Sequence, residues 1–149
     1  MIFKRRVLTN LFFLFFVSIL LFACSSSTTT LNIDDLDIND LKKSVEIGQT
    51  KSEVKEKLGD KFTEINNPDG SIEWRFDIDV ENGYNLQQED AHEGKADVTA
   101  IELEKIRAQL FLLWEKEKVK YVSMFYKGED NKVHIYELTS DGKATDRAE

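Results

Sequence analysis

The stretch IEWRFDIDVE, residues 72–81, decides the fold class. Ile72, Trp74, Phe76, Ile78 and Val80 alternate with Glu73, Arg75, Asp77, Asp79 and Glu81. Successive side chains of a strand point to opposite faces, so five apolar positions against five charged ones predict a strand with one buried and one wet face. The turn signal NNPDG, residues 66–70, precedes it. Downstream, VKYVSMFYKGEDNKVHIYELT, residues 119–139, reads as a hairpin, with residues 128–131 turning between strands at 119–127 and 132–139. Residues 108–115 are two-sided: Leu103, Ile106, Leu110, Leu113 and Trp114 fit helical spacing, while LFLLW between charged residues suits a buried strand, which is the assignment preferred. Residues 82–105 then form a long polar connection, with a helical turn near residues 101–106.

Upstream the period lengthens. Ile38, Leu41 and Val45 share a helical face, with Asp37 placed to cap and Lys42 and Lys43 near the carboxyl end, where their charge suits the helix dipole. Thr50 stands three residues before Glu53, the spacing of a capping box. Val54 and Leu58 share the next face, and Gly59 closes it. The expectation is an α+β domain over residues 37–149, with two short N-terminal helices and an antiparallel sheet of about four strands.

The first residues address a different question. Lys4, Arg5 and Arg6 lead an apolar run at 7–22, interrupted by Thr9, Asn10 and Ser18 and shorter than the roughly 20 apolar residues a spanning helix needs. That is the design of a secretory signal over residues 1–23. The tetrad Leu21, Phe22, Ala23, Cys24 resembles the lipobox of bacterial lipoproteins, although Phe22 departs from the small residue usual there. The resemblance implies cleavage between Ala23 and Cys24 and a thioether-linked diacylglycerol on Cys24, the only cysteine in the chain. The competing uses of Cys24 are a buried thiol or a residue of an uncleaved anchor. Each buried methylene contributes about 0.8 kcal/mol to membrane attachment, so two acyl chains hold where one comes off. Ser25 to Thr30 and the acidic NIDDLDIND that follows read as a flexible tether, assigned to residues 24–36. The implied location is the outer face of the cytoplasmic membrane in a Gram-positive cell, or the outer membrane in a Gram-negative one.

Removing residues 1–23 takes three cations and no acid, which moves the formal charge from −8 to −11. An acidic domain argues against nucleic acid and against lying flat on an anionic bilayer. With no second cysteine there is no disulfide, so stability rests on a core. Catalysis finds no constellation: the sole cysteine is assigned to lipid, and only His92 and His134 are available as imidazole bases. Glu89, Asp90, His92 and Glu93 offer donors to a divalent ion, but without recognised ligand spacing, and a solvated acidic loop, the preferred account, explains the same residues. The stretch DDLDIND lacks the glycine and terminal glutamate of a calcium loop. The chain is therefore read as a non-enzyme with no cofactor and no metal.

Binding remains. Lys120, Val122, Met124 and Tyr126 oppose Val119, Tyr121, Ser123 and Phe125, so both faces of that strand carry bulky groups. Helices cover one face of a sheet. Arg75, Asp77, Tyr121, Phe125 and Tyr126 are the candidate partner-binding residues if the other face stays open, whereas the long connection at 82–105 could instead fold over it.

The stretches IGQTKSEVKEKLG (47–59), DGSIEWRFDI (69–78) and MFYKGEDNKVHIYEL (124–138) together resemble the SmpA/OmlA (BamE-like) lipoprotein domain, including Gram-positive relatives with a β-lactamase-inhibitor-like fold. The resemblance covers residues 37–138. It departs in lacking the proline common after Leu58 and Gly59 and in the length of residues 82–105. It implies two helices packed on one face of a curved antiparallel sheet. It also implies a lipid-anchored adaptor that binds another envelope protein, as members assisting outer-membrane protein assembly do. The alternative it permits is an inhibitor or sensor of a secreted or cell-wall hydrolase.

Overall fold

A computed structural model describes residues 32–85 and 94–149. The signal and lipobox residues, the tether up to residue 31, and Glu89, Asp90, His92 and Glu93 lie outside the described residues.

A 3-10 turn, Ile33–Asp35, leads into α1 (Ile38–Ser44) and α2 (Lys51–Leu58). The strands are β1 (Thr63–Asn66), β2 (Ile72–Val80), β3 (Ile106–Glu115), β4 (Lys118–Lys127), β5 (Val133–Leu138) and β6 (Ala144–Ala148), with α3 (Val98–Glu102) between β2 and β3. They form one sheet in chain order, and every neighbouring pair is antiparallel.

This corrects the expected architecture. The sheet has six strands rather than about four, and the two N-terminal helices do not make a layer packed on it. Helices of seven and eight residues are two turns long, so each delivers one or two side chains: Leu41 from α1, Val54 and Leu58 from α2. The unexpected strands are β1 and β6. Only four residues long, β1 is too short to show a period, and every residue of β6 is exposed, so no apolar alternation marks it.

The two helices begin where their capping residues direct. Asp37 accepts a hydrogen bond from the Asp40 amide at 2.8 Å. The Thr50 amide donates to Glu53 Oε2 at 2.7 Å, and the Glu53 amide donates to Thr50 Oγ1 at 3.3 Å, which satisfies two otherwise free donors. At the far end Gly59 takes φ 82°, a conformation costly for any residue with a Cβ.

Pairing registers build the core. Phe76 lies opposite Leu110, Leu110 opposite Met124, and Met124 opposite Tyr136. In the next row Trp74, Leu112, Val122 and Leu138 align. Together with Leu41, Val54 and Leu58 these rows form the main cluster, and we call their side the first face. Phe62 stacks on Trp74 with ring centroids 3.9 Å apart, and Trp114 meets Trp74 edge-on at 4.5 Å. At the end of β2 the alternation breaks. Asp79 sits at φ 52°, and beyond it Val80 and Ile106 join a second cluster with Ala100, Ile101 and Val133. That cluster fixes α3 over one end of the other face. The helical turn expected near residues 101–106 thus starts earlier, at Val98, and Ile106 opens β3 instead.

Candidate functional site

The second face of the sheet begins with Arg75, which is 3 % exposed. A guanidinium that deep requires an anionic partner, and Asp77, two residues along the same face, supplies one: Arg75 Nε lies 3.0 Å from Asp77 Oδ1 and 3.2 Å from Oδ2. On the neighbouring strand Gln109, fully buried, donates from Nε2 to Asp77 Oδ1 at 2.6 Å. Its carbonyl oxygen accepts the Asp97 amide at 2.6 Å. Asp97 in turn caps α3, accepting from the Ala100 amide at 2.9 Å and from the Tyr84 hydroxyl at 2.8 Å. One continuous polar chain therefore runs from the sheet into both described ends of the connection. Each buried group in it has a partner, which is the condition for such a network to specify one packing. Gly94 lies against the sheet beside Ile65 and Glu73, where an added Cβ would come within 3.2 Å of Glu73 Oε2. Burial pushes the Glu73 carboxyl above its ordinary value.

The five candidate partner residues do not form one surface. Arg75 and Asp77 sit in this network. Phe125, half-buried on the same face, packs edge-on against buried Phe111 at 5.8 Å and against the α3 cluster. Tyr121, also half-buried there, donates a short hydrogen bond to Glu137. Burial and that carboxylate push the Tyr121 hydroxyl up to about 12. Arg147 Nη2 approaches the other Glu137 oxygen at 3.5 Å. Tyr126 points the opposite way, into the first face.

There it belongs to a second cluster that the sequence did not mark. Lys42 Nζ lies 2.6 Å from Asp146 Oδ2 and 2.9 Å from the Tyr126 hydroxyl, which itself bonds Asp146 at 2.8 Å. His134 adds Nδ1 at 3.5 Å from Asp146 and Nε2 at 3.0 Å from Asp130. Burial works to raise the Asp146 carboxyl, but the Lys42 and Tyr126 bonds outweigh it and hold the group below its ordinary value. The cluster ties α1 to β6 across a separation of 104 residues, which no local pattern could reveal. For the buried network a signal did exist, since Asp97 directly precedes Val98 in helix-capping position.

A cleft of about 610 Å³ opens where β2, α3 and β3 meet, over Ile38, Ile101 and Ile106. Its charges are already engaged: Lys127 with Glu104 at 2.6 Å, and Arg107 with the carbonyls of Leu36 at 2.5 Å and Asp34 at 2.8 Å. Among the described residues no group of three or more His, Cys, Asp or Glu side chains could hold a metal ion, and no helix is long and apolar enough to cross a membrane.

The class defined so far is a small mixed domain whose single antiparallel meander is closed on one side by a polar latch. No family model, curated protein or solved structure matches the chain.

Proposed function

We propose that this chain is a lipid-anchored envelope lipoprotein whose domain binds another envelope protein without turning it over. The observation that carries the proposal is how the domain secures the point where its tether enters. Directly after the tether, Ile33 is buried, Arg107 clamps the Asp34 and Leu36 carbonyls, and the Asp79 amide donates to Asp34 Oδ1 at 2.8 Å. A segment held by two strands transmits the position of the anchor to the sheet. Between Cys24 and Asn32 the chain spans at most about 27 Å when extended, so the domain works close to the bilayer, and its negative charge keeps it off anionic headgroups.

The resemblance to the SmpA/OmlA domain in residues 37–138 supports an adaptor role, while the six-stranded sheet removes the fold expected with it. With Arg75 and Asp77 engaged internally, the part of the second face offered to a partner is the Tyr121, Glu137 and Arg147 strip. Two measurements test the proposal. Mass spectrometry of the mature amino terminus should find a diacylglycerol-modified Cys24, and Cys24→Ser should release the protein from membranes. A photo-crosslinker at position 121 should then recover one discrete envelope protein. An unmodified terminus, or capture no different from that at exposed Lys57, refutes it.

A further inference from the structure

The two edges of the sheet are not alike. The Asn67 amide bonds the Ser71 carbonyl at 2.9 Å, which makes the odd positions of β1 the hydrogen-bonded ones and leaves only Glu64 and Asn66 facing outward, just before Pro68. A short edge stopped by proline is a guarded edge. The β6 edge has no proline, and all five of its residues are exposed. The Thr139 amide bonds the Lys143 carbonyl at 3.0 Å, and the Glu149 amide bonds the Val133 carbonyl at 2.9 Å. Hydrogen-bonded pairs alternate along an antiparallel ladder, so residues 143, 145, 147 and 149 bond inward to β5. Ala144, Asp146 and Ala148 therefore turn their backbone N–H and C=O groups outward.

We infer that β6 pairs antiparallel with β6 of a second copy, joining two sheets into one of twelve strands across a two-fold axis. Outward residues must meet outward residues, which permits registers centred on position 145, 146 or 147. Centring on 145 sets Lys143 against Arg147, and centring on 147 sets Arg147 against itself. Centring on 146 sets Lys143 against Glu149, Thr145 against Arg147 and Ala144 against Ala148. In that register the two Asp146 residues meet, but each carboxylate is already bound to its own Lys42 at 2.6 Å. Opposite charges directly across the ladder favour this register, and like charges disfavour the other two. The segment from Lys143 to Glu149 also carries two cations and two acids in an otherwise acidic chain, so the edges do not repel.

Residues opposite one another in a ladder point to the same side, so the axis runs perpendicular to the sheet. Both first faces then lie on one side, each with the α1 whose Lys42 reaches β6. On the lipoprotein reading this sends both tethers toward one membrane, where confinement raises the effective concentration of a small interface. The pairing itself does not depend on the lipid.

Sedimentation equilibrium of the full chain in density-matched detergent tests it. A reversible dimer is expected. Ala144→Pro removes an outward N–H at the first position of the strand and should weaken the dimer at least tenfold without moving the urea midpoint. Thr145→Pro removes an inward N–H and should lower that midpoint. Lys143→Glu should weaken the dimer about tenfold, and adding Glu149→Lys should restore it. The Cys24→Ser protein should dimerise in the same register, which separates this outcome from that of the acylation test. A monomer at all concentrations up to about 100 μM, or a dimer indifferent to both Ala144→Pro and the charge exchange, overturns the inference.

Discussion

Asp77→Ala should be among the most damaging single changes to this domain. Among the described residues Asp77 is the carboxylate that pairs with Arg75, whose side chain is 3 % exposed, and it also accepts the Gln109 side-chain amide at 2.6 Å. Removing one member of a buried ion pair leaves an uncompensated charge and costs about 3–5 kcal/mol. The Gln109 donor left without an acceptor lies within that range rather than adding fully to it, because the three groups form one network. At a urea slope of about 1.5 kcal/mol/M for a domain of this size, a loss of about 4 kcal/mol moves the midpoint down by about 2–3 M. Hydrogen exchange at the Asp97 and Ala100 amides should rise alongside, since both are held through the same chain of bonds. The double change Arg75→Met with Asp77→Leu removes both charges together and should recover most of the loss. If Asp77→Ala costs under about 1 kcal/mol by urea titration, the Arg75, Asp77 and Gln109 side chains do not act as a buried network and the polar latch on the second face is wrong.

Thr50→Ala removes the hydroxyl that accepts from the Glu53 amide and so breaks that arm of the capping box, leaving the backbone arm, and should cost about 1 kcal/mol, read as a lower melting temperature, with Ser at the same position close to wild type. The Asp146 carboxyl is held below its ordinary value by Lys42 and Tyr126, so its contribution to stability is complete above the unfolded value near 4 and is lost as pH falls through the lower folded value. Asp146→Asn should therefore flatten the acid limb of the stability profile, measured by urea titration between neutral pH and pH 2. Glu73 is shifted the other way, raised by burial, so its charge opposes folding at neutral pH and that opposition fades as pH falls through the folded value. Glu73→Gln should match or exceed wild-type stability at pH 7, and a clear loss there would show that the carboxylate has an unseen cationic partner.

Local signals were legible wherever one residue type meets one local requirement. Asp37, Thr50 with Glu53, and Gly59 bound the two helices because capping is settled within four residues of chain. The ambiguous stretch at 108–115 is a strand, buried on both sides, which is why its apolar residues ran together without alternating. The hairpin at β4 and β5 was visible in its turn. By contrast, the turn between β3 and β4 consists of Lys116 and Glu117 at φ 49° and 65°, left-handed positions occupied without the glycine or asparagine that would announce them.

What the sequence determined by itself is the order of its helices and its four longer strands and the acidity of the domain, since each depends on composition or on neighbours within one period or one motif. Only the tertiary structure decided that β1 and β6 extend the sheet and that the described ends of the connection, through Tyr84 and Asp97, are tied to the second face. The reason is physical: edge pairing is made by backbone hydrogen bonds that every sequence carries, and a buried Arg75 becomes acceptable only once Asp77, Gln109 and Asp97 converge from separate parts of the chain.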